Sequence, residues 1–109
     1  MKLCQAIIPI SVVTDQTVFA KNDIGHEMYF VIKGEVEVSG GKSGTDRLGY
    51  IGQDGFFGEK AIIESIRQKY GSGGCIRTRS VRATVDTDLA MLSAASINDI
   101  STFVSCASI

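Results

Sequence analysis

The sequence predicts a small, mainly β domain with helical trim, folded as an antiparallel β-roll or barrel. Two observations carry that prediction. Short apolar or strictly alternating segments recur between Met28 and Leu92, with the length and period of strands rather than helices. Glycine is abundant at 12 and proline nearly absent at one, a composition suited to tightly turned short strands. At 109 residues the chain amounts to one domain, able to bury a modest core without staples. No apolar run is long enough for a transmembrane helix.

The elements follow in order. The N-terminus offers Lys2 as its charged head and an apolar stretch interrupted by Pro9, which is not the pattern of a signal peptide. Strand-like sequence begins almost at once. Asp15 to Phe19 reads as a turn feeding a strand that ends at Lys21-Asn22-Asp23, where Asn22 can take a positive φ. Met28 to Ile32 is a five-residue apolar run fit for a buried strand. Lys33-Gly34 breaks it, and Glu35-Val36-Glu37-Val38 alternates with the period of a half-buried strand. Ser39 to Thr45 is a Gly- and Ser-rich loop joining two antiparallel strands, the second holding Leu48, Tyr50 and Ile51.

Gly58 to Glu64 has a helical look, with Ile62, Ile63 and Ile66 on one face, and Ser65 to Gly74 reads as a polar surface loop. Strands follow around Ser80–Val85 and Asp88–Leu92, with Asp86-Thr87 at the turn. Ser96-x-x-Asp99 has the form of a capping box. Ile97, Ile100, Phe103 and Val104 then share one face of an amphipathic helix over about 96–105.

Charge narrows the function classes. Eleven bases nearly cancel twelve acids, which argues against binding nucleic acid or a membrane through bulk charge. The sum hides an asymmetry of −3 over residues 1–64, +5 over 65–85 and −3 over 86–109. The basic segment holds Arg77, Arg79 and Arg82 close together. It reads either as a solvated strand face or as a local anion site. Cys4, Cys75 and Cys106 form no C-x-x-C and no zinc spacing, so reduced thiols and a cytoplasmic setting are the default. His26 stands alone beside a turn and cannot assemble a metal site, and no nucleophile–base–acid arrangement is apparent.

Gly40-Gly41-Lys42-Ser43-Gly44 superficially suggests a phosphate loop. The first glycine of that motif would have to stand at Val36, and no helix-forming segment follows. A hairpin loop is the better reading. Gly55-Phe56-Phe57-Gly58-Glu59-Lys60-Ala61 is more informative. Gly58 permits close backbone approach, and the free N–H groups of the first helical turn are anion donors. Glu59 either caps its own helix or accepts hydrogen bonds from ligand hydroxyls. The basic segment supplies a guanidinium able to fork onto a phosphate.

Taken together, these segments resemble the cyclic nucleotide-binding domain family. Gly25 to Val38 resembles its central hairpin, and Phe56-Phe57-Gly58-Glu59-Lys60-Ala61 the opening of its phosphate-binding cassette. Arg77-Thr78-Arg79-Ser80-Val81-Arg82-Ala83 resembles the cassette's close, and Asp88 to Ser93 the last strand. The resemblance implies an eight-stranded antiparallel β-roll of the jelly-roll (double-stranded β-helix) type, spanning about 12–92 of a single domain over 1–109. A short internal cassette helix and a C-terminal helix would complete it. It also implies a regulatory module that binds cAMP or cGMP, with no other cofactor and no catalysis. An effector domain or protein of unknown identity would read its occupancy. Direct contact with nucleic acid or membrane is not expected.

Matched residue by residue, Glu59 would hold the ribose 2′-hydroxyl and Arg77 the cyclic phosphate. Gly58 and Ala61 would offer backbone N–H groups. Thr78 stands where a hydroxyl accompanies tolerance of the guanine amino group. Lys60, Arg79 and Ser80 complete the expected ligand-binding set. The family places its glutamate and arginine closer together than Glu59 and Arg77, so an insertion is assigned to Ser65–Gly74. Arg67 lies nearer the usual spacing but lacks the downstream Thr-x-Ser-Val-Arg-Ala context. Arg79 replaces a residue that is usually small, adding charge or crowding the pocket. The flanking helices are largely missing. A ligand-silent β-roll serving a structural or protein-interaction role is the alternative expectation.

Overall fold

The computed structural model describes residues 7–41, 46–68 and 75–93. Ten strand segments and one helix follow in the order β1 (Ile7–Val12), β2 (Thr17–Phe19), β3 (Ile24–Gly25), β4 (Glu27–Lys33), β5 (Glu35–Gly40), β6 (Asp46–Gly52), β7 (Phe56–Phe57), α1 (Glu59–Gln68), β8 (Cys75–Ile76), β9 (Ser80–Ala83) and β10 (Thr87–Ser93). Eight strands were expected; seven of the ten segments have three residues or more, and the two-residue pieces β3, β7 and β8 are too short to leave a periodic signal.

Two four-stranded sheets, in the orders β1-β10-β4-β7 and β2-β9-β5-β6, face each other, and β3-β8 forms a small third pair. Every pairing is antiparallel, the architecture of a β-roll. Inward residues of both sheets meet in one cluster of Val12, Tyr29, Val31, Val36, Phe57, Val81, Ala83 and Leu89. Alternation decides which side chains enter it. Along β9, Val81 and Ala83 are buried while Ser80 and Arg82 face the other way. Along β10, Leu89 enters it at 1% exposure, whereas Leu92, on the opposite face, is fully buried outside that cluster.

The predicted strands at 28–32, 35–38, 48–51, 80–85 and 88–92 are present, with shifted ends. β5 runs on to Gly40, into the expected loop, because its register with β6 carries that far and that with β9 reaches Ser39. β1 pairs with β10 from Ile7↔Leu92 to Val12↔Thr87, so the sheet begins before residue 12. The helix is longer than expected and takes in Ser65–Gln68, which read as loop. Its buried face is set by Ala61 and Ile62, both fully buried, whereas Ile63 is 37% exposed. Asn22 has φ 79°, as its turn required. The amphipathic segment at 96–105 lies outside the described residues.

Candidate functional site

A cavity of about 390 Å³ opens between the start of α1 and the segment entering β9, a volume at the lower end for small-ligand sites. Apolar side chains of Phe19, Val38, Ile51 and Val81 form much of its wall. Its polar groups come from two places, Gly58-Glu59-Lys60 and Arg77-Thr78-Arg79. Residues far apart in sequence are thus brought to one site, as the cassette pattern required.

The first group is positioned by β7 and the turn before it. Val31 N–H donates to Gly55 O at 2.8 Å, and Asp54 N–H donates to Val31 O at 2.9 Å, fastening the turn to β4. β7 then pairs through Tyr29↔Phe57 and Phe30↔Phe56. Gly58 takes φ 79° and hands the chain to α1, a conformation that favours glycine. A β-carbon there would also meet Arg77 Nη1 at 3.1 Å and Glu27 O at 3.2 Å. Glu59, first in the helix, is half-buried and faces the cavity. Among the described residues it makes no hydrogen bond or ion pair.

Arg77 is only 5% exposed, and its backbone is clamped to the turn after β2. Asn22 N–H donates to Arg77 O at 2.8 Å, and Arg77 N–H donates to Asp23 O at 2.7 Å. The guanidinium donates from Nη1 to Gly58 O (3.1 Å) and from Nη2 to Glu27 O (2.7 Å). Its Cζ lies 4.1 Å from the centre of the Phe19 ring. That ring packs against Tyr29 and Phe57, which stack on each other with centroids 5.2 Å apart.

Arg77 Nε is buried without a hydrogen-bond partner. A guanidinium held by two carbonyl oxygens and a ring face meets no carboxylate there, and its unsatisfied buried donor is costly in isolation. An anion in the cavity fits this arrangement. Tyr29 responds to the same surroundings: burial and the Glu27 carboxylate push its hydroxyl pKa up, while Arg77 pulls it down.

Six of the eight expected residues, Gly58, Glu59, Lys60, Arg77, Thr78 and Arg79, line the cavity. Ala61 and Ser80 stand apart from that lining. Ala61 is fully buried and its N–H donates to Gly58 O at 3.2 Å. Ser80 faces away, and its Oγ accepts the Lys21 N–H at 2.8 Å. Arg67 belongs to α1. His26 is exposed, and no cluster of metal-ligating residues occurs among the described residues.

Sequence reasoning missed Phe19 and Gly25. A β-carbon on Gly25 would lie 2.1 Å from Arg77 Nε and 2.2 Å from Cζ, so the guanidinium occupies the space a side chain would fill. A glycine opening a strand hints at such close approach, but nothing local names the arginine 52 positions away. Of the cysteines, Cys75 is described: it is a free thiol lining the cavity.

The family model for the cyclic nucleotide-binding domain matches residues 9–102. No curated protein sequence matches the chain. Among solved structures, the catabolite activator protein of Thermus thermophilus is similar with a TM-score of 0.76 at 19% identity, over 98% of this chain and 47% of that one. A cyclic nucleotide-binding domain from Methylobacillus flagellatus KT is similar with a TM-score of 0.71 at 23% identity, over 87% of this chain and 49% of that one. The EAL enzyme Bd1971 in its cAMP-bound form aligns with a TM-score of 0.67 at 26% identity, over 84% of this chain and 23% of that one. The chain therefore spans less than half the length of each of these three.

Proposed function

The chain belongs to the cyclic nucleotide-binding domain family, and we propose that it is a regulatory module holding cAMP or cGMP and passing its occupancy to an effector. One observation carries the reading. Arg77 is a buried guanidinium with no carboxylate partner and an unsatisfied Nε, at the edge of a ligand-sized cavity. A guanidinium has five N–H donors, so those left over from Gly58 O and Glu27 O serve a phosphodiester. The amides of Glu59 and Lys60, at the start of α1, reinforce that anion.

Glu59 accepts hydrogen bonds from the ribose hydroxyls. The base lies against Val38, Ile51 and Val81. Nothing in this scheme asks the protein to make or break a bond, so its role is binding, and the reduced-thiol reading places it in the cytoplasm. Among the described residues no helix is long and apolar enough to cross a membrane.

Calorimetric titration with cAMP and cGMP tests the reading. Saturable binding is expected, weakened by Glu59→Gln, which removes a charge without removing an internal contact. No heat and no thermal shift at millimolar nucleotide would leave a ligand-silent β-roll with a structural or protein-interaction role.

A further inference from the structure

We propose that Arg79 selects the base, so that the site prefers a guanine nucleotide to an adenine one. This rests on the nucleotide reading above and goes beyond it. Arg77, Arg79 and Arg82 occupy one short segment, yet their fates differ. Arg82 is paired with Asp15 and Glu37, and Arg77 is held by carbonyls. Among the described residues Arg79 makes no hydrogen bond or ion pair, although it lines the cavity.

Arg79 lies in the bend just before β9 and is exposed, and its neighbours fix where it runs. Ser39 pairs with Ser80, which sets Gly40 beside Arg79. A β-carbon on Gly40 would lie 3.1 Å from Arg79 Cδ, 3.3 Å from its Nη1 and 3.1 Å from Leu48 Cδ1. The side chain therefore runs over Gly40, beside Leu48, on the wall that carries Val38 and Val81. Arg77 instead reaches Gly58 and Glu27. The two guanidinium groups serve different ends of the cavity.

With the phosphate at Arg77 and the ribose at Glu59, the base extends along the apolar wall toward Arg79. Guanine presents two acceptors, O6 and N7, on one edge, a match for a guanidinium fork. Adenine offers N7 beside an amino donor and cannot accept both bonds. One such bidentate contact discriminates by about 5- to 150-fold.

Calorimetry on the full chain with cGMP, cAMP and 7-deaza-cGMP tests this, with thermal denaturation of each variant to verify folding. The parent should prefer cGMP by about 5- to 150-fold. Arg79→Ala should erase the preference, weakening cGMP far more than cAMP, and Arg79→Lys, whose ammonium donates but lacks the planar fork, should keep only part of it. Loss of N7 in 7-deaza-cGMP should weaken binding to the parent and not to Arg79→Ala. Equal losses for cAMP and cGMP in Arg79→Ala would overturn the proposal and make Arg79 a second anion contact. A cGMP-to-cAMP ratio untouched by Arg79→Ala would overturn it while the nucleotide reading stands. Failure of the parent to bind either nucleotide would overturn both.

Discussion

Arg82 and Arg77 carry the same group on neighbouring stretches of chain, and the molecule uses them in opposite ways. Arg82 lies on the outward face of the β2-β9-β5-β6 sheet, donating to Asp15 at 2.6 Å and to Glu37 at 2.9 Å. Glu37 also pairs with Arg47 at 3.2 Å. The charges are solvated and matched, so this network neutralises itself and fastens β9 to β5. Arg77 is buried, meets no carboxylate, and is stabilised by carbonyl dipoles and an aromatic face. A carboxylate partner would have cancelled the charge; carbonyls orient it and leave it available. The difference separates an arginine that serves the sheet from the one proposed to bind the nucleotide.

The largest effect is expected where the contrast is deepest. Replacing Arg77 by Ala removes a charge-assisted contact worth about 1.5–3 kcal/mol, lowering nucleotide affinity by roughly 10- to 100-fold or more. Arg82→Ala in the same titration should leave affinity nearly unchanged. If Arg82→Ala weakened binding as much as Arg77→Ala, the distinction would collapse. Gly25→Ala comes next. Its β-carbon overlaps the guanidinium, so Arg77 must leave its niche, and affinity should fall about tenfold or more with Arg77 still present. Binding by Gly25→Ala at the parental level would show that the niche is incidental.

Phe19→Leu keeps an apolar wall but removes the ring face, for a loss of about 0.5–2 kcal/mol, or roughly 2- to 30-fold in affinity. The smallest effect belongs to the outer network and appears with pH. The Arg82 hydrogen bond holds the Glu37 carboxyl below its ordinary range, with the charges of Arg82 and Arg47 adding to it. A carboxyl that is more acidic when folded contributes stability above its unfolded pKa. That contribution is lost as pH falls through the lower, folded value. Acid denaturation of Glu37→Gln should therefore be shallower across that window than for the parent, by a margin fitting an exposed pair. An unchanged acid limb would remove Glu37 from the account.

Reading the sequence alone found what depends on short-range pattern. Met28–Ile32 and Glu35–Val38 declared themselves as strands through run length and alternation. The order of cassette segments singled out Gly58, Glu59 and Arg77 before any fold was available. What it missed depends on pairing at a distance. β7 exists because Phe56 and Phe57 lie opposite Phe30 and Tyr29, and β8 because Cys75 and Ile76 lie opposite Gly25 and Ile24. Ile62, Ile63 and Ile66 read as one helical face, but Ile62 is buried with Ala61 while Ile63 is 37% exposed. Ser80 matched the cassette in type and position, yet strand parity points its hydroxyl at the Lys21 amide. The Gly25 niche was beyond reach, since its meaning depends on a guanidinium contributed by a remote part of the chain.

The clamp on Arg77 has a consequence for how fast and how economically the site works. A free arginine on a surface loses about 0.5–1.5 kcal/mol of rotamer freedom when a ligand immobilises it. Here the main chain is fixed to Asn22 and Asp23, and the head group to Gly58, Glu27 and Phe19, before anything arrives. The entropy of ordering this side chain is already spent in folding, so under the proposed function an incoming phosphate would meet a rigid partner. Association then needs no search by the arginine, and differences in affinity among ligands should appear mainly in how long each one stays.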